Sequence, residues 1–128
     1  MTGYPLNGLR VLLVEDEPLI ELQLEGLMSG AGATVAGAGS VAAALELIAE
    51  NEFDVAVLDV RLGHEDARPI AATLRALDIP YVVASASEPD DLPGEMRRAP
   101  YLQKPFDDGM LTAAVREAAL VRPAGAAR

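Results

Sequence analysis

Side chains able to act on a ligand follow directly after four short, mostly apolar segments of this sequence. The segments span residues 11–14, 55–58, 81–84 and 101–103, and the side chains that follow them are Glu15, Asp16 and Glu17, then Asp59, Ser85 and Lys104. If the segments are parallel strands of one sheet, their carboxyl ends share one edge, where ligands of such sheets bind. The spacing therefore predicts that acids, a hydroxyl and an amine meet at one site.

The carboxylates at this edge predict a metal site. Three carboxylates within about 5 Å repel each other by roughly 3 kcal/mol per pair at an effective dielectric constant of 20, so a cation is needed to neutralise them. Mg²⁺ suits such a site, because it prefers oxygen ligands and uses one or two carboxylates together with phosphate. Asp59 could then attack a phosphoryl donor to form an acyl phosphate, with Lys104 and Ser85 contacting the phosphoryl oxygens.

Each of these residues also has an ordinary structural interpretation. The acids at 15–17 can be first-turn charges that favour the dipole of a following helix. Asp59 can cap a helix or lie in a turn, and Ser85 and Lys104 can be plain surface residues. These separate interpretations do not explain why all of them follow successive strands, so we favour a phosphoryl site.

Apolar periodicity and turn residues predict alternating strands and helices. Strands are expected at 10–14, 34–36, 55–58, 81–84 and 101–103. Helices are expected to begin at Pro18, after Ser40 as an N-cap, near Ile70, and after Asp107 or Asp108 as the last cap. Their buried faces are expected to include Ile20, Leu24, Leu27 and Met28, then Val41, Leu45 and Ile48, then Ile70, Leu74 and Leu77, then Leu111, Ala114, Val115 and Ala118. Residues 88–100 contain three prolines and allow at most a short, irregular helix.

The strands are continuous apolar runs, a pattern typical of a parallel sheet with helices on both faces. The sequence therefore predicts a doubly wound α/β fold with five strands. The 128 residues are enough for one domain, and neither a linker nor an internal repeat is visible.

Composition narrows the classes of function. The formal net charge of −10 disfavours binding to nucleic acid, which requires an excess of Lys and Arg. Without cysteine there is no disulfide or thiolate metal site, and no apolar run is long enough for a membrane span or a secretory signal. We therefore expect a cytoplasmic protein. Lys104 is the one lysine among ten basic residues, which suggests a position that needs a compact ammonium group.

The four segments, with the residues that follow them, resemble the receiver domains of two-component response regulators. The matching stretches are VLLVEDE at 11–17, VLDVRL at 57–62, PYVVASA at 80–86 and YLQKPF at 101–106. The resemblance covers residues 8–121, leaving 1–7 and 122–128 as tails, of which the second is expected to be disordered. It implies the flavodoxin-like (βα)5 fold with strand order 2-1-3-4-5.

The resemblance also implies roles for the site residues. Asp59 looks like the phosphoacceptor, and Glu15 and Asp16 look like the acidic pair, with Asp16 the more direct ligand of Mg²⁺. The backbone carbonyl of Arg61 looks like a further ligand. The implied phosphodonor is a histidine kinase or a histidine phosphotransfer protein, and the implied activity is limited to the chain's own phosphorylation and dephosphorylation.

Other matching positions correspond to the family's switch. Ser85 looks like the hydroxyl that moves towards the phosphoryl group, and Tyr101 looks like the aromatic residue that changes rotamer with it. Lys104 looks like the family's lysine, followed by Pro105, which in the family usually follows a cis peptide bond. Phosphorylation would then shift the population between two surface conformations.

The chain departs from the family pattern at several positions. Leu62-Gly63 replaces the usual Met-Pro and Ala67 replaces a glycine, so the loop after Asp59 is expected to differ. The short, proline-rich stretch before Tyr101 argues against the usual dimerisation through a fourth helix. Together with the 63–66 loop, it resembles stand-alone receivers of α-proteobacterial signalling. Arg61 and Ser87 are candidates for tuning the phosphorylated lifetime, whereas His64 is interpreted as an exposed loop residue.

Three alternatives remain at this stage. The stretch 37–42 fits the G-x-G-x-x-A form of a dinucleotide fingerprint, although close helix packing explains its glycines as well. A phosphate-ester hydrolase would need a general acid two residues after Asp59, where Arg61 stands. A receiver that binds partners without phosphorylation is the third. Within the receiver interpretation, the output could be a relay, a phosphate sink or the switching of an unidentified downstream protein.

Overall fold

The computed structural model describes residues 4–86, 92 and 94–120. It contains seven strands: β1 (Arg10–Val14), β2 (Thr34–Ala38), β3 (Val55–Leu58), β4 (Arg61–Leu62), β5 (Glu65–Asp66), β6 (Tyr81–Ser85) and β7 (Tyr101–Gln103). It also contains four α-helices: α1 (Pro18–Gly30), α2 (Val41–Glu50), α3 (Arg68–Ala76) and α4 (Asp108–Leu120). No helix in the described part of the chain is both long and apolar enough to cross a membrane.

Five of the strands form one parallel sheet in the order β2-β1-β3-β6-β7. When only these five are counted, the order is the expected 2-1-3-4-5, so the predicted fold class is confirmed. The register aligns the strand ends, because Val14 pairs with Leu58 and Ser85 pairs with Gln103. The residues that follow these pairs therefore lie side by side at one edge of the sheet.

The core has two halves, one on each face of the sheet. Alternate residues of a strand point to opposite faces, so Leu12 and Val14 pack with α2 and α3, whereas Val11 and Leu13 pack with α1 and α4. All four of these side chains are at most 1% exposed. Burial on both faces explains why the central strands β1, β3 and β6 are continuous, mostly apolar runs.

The helix boundaries follow from their capping residues. Pro18 occupies the first turn of α1, where its missing N–H costs no hydrogen bond. The Ser40 side chain accepts a hydrogen bond from Ala43 N at 3.1 Å, and Asp107 Oδ1 accepts one from Met110 N at 2.8 Å. The prediction that Leu77 belongs to the buried face of α3 is wrong, because α3 ends at Ala76 and Leu77 is 50% exposed.

Between β6 and β7, the only helix among the described residues is a 3-10 turn at Gly94–Met96. This turn agrees with the expectation of at most a short, irregular helix, although residues 88–91 and 93 lie outside the described part of the chain. Leu92 and Met96 are buried and join the α2–α3 half of the core. Ser87 and the tail 122–128, both subjects of predictions, lie outside the described residues.

The loop after Asp59 contains a small antiparallel hairpin made of β4 and β5. Gly63 and His64 form its two-residue turn, and Gly63 has a φ of +65°. Only the first position of the turn has a positive φ, as in the type II′ turns that suit hairpins. The sequence predicted an altered loop here but gave no sign of the hairpin itself.

The first glycine of the possible dinucleotide fingerprint has a packing role. Gly37 lies within β2 rather than in a loop, and a Cβ atom there would collide with the carboxylate of Glu21 on α1. The glycine therefore leaves room for the Glu21 side chain where α1 lies beside β2. This agrees with the packing interpretation of the motif rather than with nucleotide binding.

Candidate functional site

The sheet's hydrogen bonding continues one residue past the strand ends and fixes the backbone of the site. Asp59 N donates to Val14 O at 3.0 Å, and Lys104 N donates to Ser85 O at 2.8 Å. Glu15 N donates to Ala38 O at 3.0 Å. The backbone of these three residues is therefore fixed by hydrogen bonds of the same kind as those within the sheet.

Lys104 lies between two buried carboxylates. Its Nζ atom is 2.6 Å from Glu15 Oε1 and 3.1 Å from Asp59 Oδ2. Glu15 is 3% exposed and Asp59 8% exposed. In such surroundings a charge-assisted hydrogen bond is strong, and an uncompensated charge would be costly.

Burial and pairing act in opposite directions on the pKa values of this group. Burial raises the pKa of Glu15, and the hydrogen bond and charge of Lys104 offset that effect only in part. Burial works to lower the pKa of Lys104, but its contacts with Glu15 and Asp59 together outweigh burial, so the pKa is raised. Lys104 is therefore firmly cationic at neutral pH, while keeping Glu15 ionised costs folding free energy.

Glu15, Asp16 and Asp59 together can hold a metal ion. One carboxylate oxygen from each lies within 4.8 Å of the others. Oxygen donors at this spacing suit a hard divalent cation. Asp16 is exposed, whereas Glu15 is buried, so a cation would enter from the solvent side of Asp16.

Two backbone N–H groups of the hairpin orient the carboxylates. Gly63 N donates to Asp16 Oδ2 at 2.7 Å, and Arg61 N donates to Asp59 Oδ1 at 3.2 Å. On the other side, Glu17 N donates to Glu15 Oε2 at 3.3 Å. Each of the three carboxylates thus accepts a hydrogen bond from a backbone N–H group that orients it.

A cavity of about 530 Å³ opens above these groups. Its lining includes six residues that the sequence predicted for the site: Glu15, Asp16, Asp59, Arg61, Ser85 and Lys104. Ser85 is 1% exposed. The structure therefore brings together side chains that are up to 89 residues apart in sequence.

Two other singled-out residues lie outside the cavity lining. The Tyr101 hydroxyl donates to the backbone carbonyl of Ser85 at 3.4 Å, so the tyrosine is joined to the site through Ser85. His64 is exposed in the hairpin turn, as expected for a loop residue.

Sequence reasoning missed Gly63 and gave Glu17 no role of its own, although both line the cavity. Their contacts with the acids run through backbone N–H groups, which every residue except proline carries. Residue type therefore gave no direct signal. One clue was available. The family usually has a proline at position 63, which has no N–H group to donate, whereas this chain has a glycine.

Comparison with protein families decides which group of proteins this arrangement represents. The family model described as the response regulator receiver domain matches residues 11–116, most of the chain. The chain belongs to this family. The receiver fold and the phosphoryl-accepting class expected from the motifs are thereby confirmed, and the dinucleotide-binding alternative is set aside.

Individual relatives agree with this assignment. The receiver is 34% identical over 125 residues to the transcriptional regulatory protein GltR of Pseudomonas aeruginosa, covering 92% of this chain and 51% of that protein. It is 37% identical over 121 residues to PrrA of Mycobacterium tuberculosis, covering 91% and 51%. The chain thus spans about half the length of these curated relatives.

A solved structure matches the receiver over its full length. The solution structure of SdrG from Sphingomonas melonis Fr1 is 37% identical, with a TM-score of 0.75. The match covers 94% of this chain and 100% of that one.

Proposed function

We propose that this receiver, comprising residues 8–121, takes a phosphoryl group onto Asp59 from a histidine kinase or a histidine phosphotransfer protein. The observation that carries the proposal is the position of Asp59, whose carboxylate accepts a hydrogen bond from Lys104 and lies within 4.8 Å of carboxylate oxygens of Glu15 and Asp16. Glu15, Asp16, Asp59 and the carbonyl of Arg61 would hold Mg²⁺. The ion, when bound, supplies positive charge that neutralises the acids and the incoming phosphoryl oxygens.

Residues of the chain orient the Asp59 carboxylate and compensate the negative charge of the incoming phosphoryl group. An oxygen of Asp59 forms the new P–O bond while the P–N bond of the donor histidine breaks, and the electron pair leaves with the imidazole nitrogen. The N–H of Arg61 restrains the Asp59 carboxylate on one side. Lys104 moves its ammonium from the carboxylates to the phosphoryl oxygens, so the charge near Asp59 remains compensated.

The Ser85 hydroxyl and Tyr101 form the proposed switch. Ser85 donates its hydroxyl to a phosphoryl oxygen, which shifts the end of β6. The Tyr101 hydroxyl donates a hydrogen bond to the Ser85 carbonyl. The shift of β6 removes this acceptor and therefore favours another rotamer of Tyr101. The changed surface around β7 is what an unidentified downstream protein would recognise.

The phosphodonor is expected to dock on α1 beside the site. Leu19 and Leu22 are 75% and 67% exposed, and because they are three positions apart in α1 they lie on one face of the helix. A neighbouring groove of about 250 Å³ between α1 and the start of α4 includes Lys104 and Phe106. Leu22→Ser should slow phosphorylation by a histidine kinase while leaving phosphorylation by acetyl phosphate unchanged. Equal slowing with both donors would contradict this docking face.

Intact-protein mass spectrometry after incubation with acetyl phosphate tests the phosphoacceptor. We expect one phosphoryl adduct that requires Mg²⁺, is absent in Asp59→Asn, and persists in the control Asp78→Asn at the opposite edge of the sheet. If acetyl phosphate and a panel of histidine kinases both leave the wild type unlabelled, the protein is instead a phosphorylation-independent binding module.

The rate of dephosphorylation then separates the possible outputs. A phosphate sink loses the label rapidly by hydrolysis, a relay intermediate transfers it to a second histidine protein, and an effector retains it while binding its partner. Arg61 lines the cavity and is a candidate for controlling water access. Replacing Arg61 with alanine and timing the loss of the label tests that role, which an unchanged lifetime would exclude.

A further inference from the structure

The β4–β5 hairpin makes hydrogen bonds to two parts of the chain that are distant in sequence. At its turn, Gly63 N donates to Asp16 Oδ2 at 2.7 Å. At its second strand, Glu65 Oε1 accepts a hydrogen bond from Val41 N at 3.3 Å. Among the described residues, the Glu65 side chain forms no hydrogen bond or ion pair with the proposed metal ligands, and Glu65 does not line the cavity above them.

The contact of Glu65 with Val41 has a clear physical basis. Val41 is the first residue of α2, and the first N–H groups of a helix have no acceptor within the helix. The Ser40 side chain accepts from Ala43 N and leaves Val41 N available. A carboxylate at this helix end also interacts favourably with the helix dipole.

These two contacts connect the beginning of α2 to Asp16 through the short hairpin. Leu62 is 3% exposed and anchors the hairpin in the core, and the turn brings the N–H of Gly63 towards Asp16. The side chain of Glu65 holds the outer strand of the hairpin against α2. If that hold is lost, the outer strand is freer to move, and the N–H of Gly63 no longer keeps Asp16 in one orientation.

We propose that Glu65 is a positioning residue for the metal site, acting on Asp16 through the hairpin. The inference rests on the proposed function, in which Asp16 is a ligand of Mg²⁺. It assigns to Glu65 a part of the affinity for Mg²⁺ that does not come from direct coordination. The mechanism requires the reach of the side chain and its acceptor oxygen, and does not require its negative charge.

Two substitutions separate the effect of the length of the Glu65 side chain from the effect of its charge. Glu65→Asp keeps the charge but shortens the side chain by one methylene, whereas Glu65→Gln keeps the length and an acceptor oxygen but loses the charge. By calorimetric titration with Mg²⁺ alone, we expect Glu65→Asp to bind about three- to tenfold more weakly, the effect of one modest hydrogen bond. Glu65→Gln should bind within about twofold of the wild type, as should the matched controls Glu46→Asp and Glu46→Gln on α2.

Amide exchange at Gly63 provides the second measurement. In the folded, metal-free protein, Glu65→Asp should speed hydrogen exchange of the Gly63 N–H, and Glu65→Gln should leave it near the wild-type rate. An unchanged Mg²⁺ affinity and exchange rate in Glu65→Asp would overturn the inference, and so would a Glu65→Gln affinity as weak as that of Glu65→Asp. A wild type that fails to bind Mg²⁺ would instead reject the proposed metal site.

Discussion

At the scale of single residues, Lys104 determines the charge balance of the site. Its ammonium contacts two buried acids, Glu15 and Asp59, with Nζ distances of 2.6 and 3.1 Å. A phosphoryl group arriving at Asp59 therefore finds a cation already in place. The same contact makes the resting protein depend on Lys104 for its stability.

Replacing Lys104 with methionine should destabilise the metal-free protein by about 1–3 kcal/mol, because Glu15 and Asp59 are then left buried without a counter-charge. Saturating Mg²⁺ should restore much of the loss by neutralising the same acids. Urea unfolding of both proteins with and without Mg²⁺ measures this. The exposed control Arg116→Met should change stability by less than about 0.5 kcal/mol, and a Lys104→Met loss that Mg²⁺ leaves unchanged would contradict the charge explanation.

Asp66 should contribute a small pH dependence to stability. Hydrogen bonds from the Arg68 side chain, and from its backbone, lower the pKa of Asp66 below its ordinary value of 3.8. A lowered folded-state pKa stabilises the protein above the unfolded pKa, and this contribution is lost as pH falls through the folded one. Because the pair is partly exposed, the contribution should stay below about 1 kcal/mol.

Comparing unfolding free energies of wild type and Asp66→Asn from pH 7 to pH 2 tests this contribution. The difference between the two proteins should be largest at neutral pH and should shrink towards acid. A difference that is constant across the range would mean that the charge of Asp66 is not what stabilises the hairpin end.

The sequence predicted the residues of the site better than their contacts. Glu15, Asp59 and Lys104 were found because their types and their places after apolar strands are visible in one dimension. The contact between Gly63 and Asp16 was not, because it joins a backbone donor to an acid 47 residues away. Contacts of that kind depend on the tertiary path of a loop, which residue type does not encode locally.

At the scale of elements, the hairpin depends on the backbone freedom of one glycine. Gly63 has a φ of +65° and open space where a Cβ would be, so Gly63→Ala meets backbone strain without a collision. It should destabilise the protein by about 1 kcal/mol. Gly26→Ala is the matched control within α1, where open space and helical backbone predict a stabilisation of about 0.5–1 kcal/mol. Thermal unfolding of the two variants should therefore shift in opposite directions.

Elements with a strong periodic signal were predicted closely, and those without one were not. The strands at Arg10–Val14 and Val55–Leu58 have the predicted bounds, because both faces of each are buried. β4 and β5 have two residues each, too few for any period to appear. Leu77 was misplaced because its spacing continues the pattern of α3 for one residue after the helix has ended.

At the scale of the whole molecule, the net charge of −10 attracts cations in general, and the acid cluster adds a site that exists only in the folded state. Stability should rise with Mg²⁺ at constant ionic strength, by about 2.7 kcal/mol when the free ion reaches a hundred times its dissociation constant. Asp16→Asn should lose most of this increase but keep the general effect of salt, which acts by screening. Thermal unfolding in Mg²⁺ and in Na⁺ of matched ionic strength distinguishes the two, and an equal gain in both salts would exclude a specific site.

The division of the core by the sheet affects which substitutions this protein can accept during evolution. Side chains on the α2–α3 face rarely touch those on the α1–α4 face, so substitutions on opposite faces should have additive effects on stability. One face can therefore be rebuilt without compensating changes in the other. Of the described residues between β6 and β7, Leu92 and Met96 pack on the α2–α3 side. Lineages could thus remodel that side for new partners while α1, beside the phosphorylation site, kept its ancestral packing.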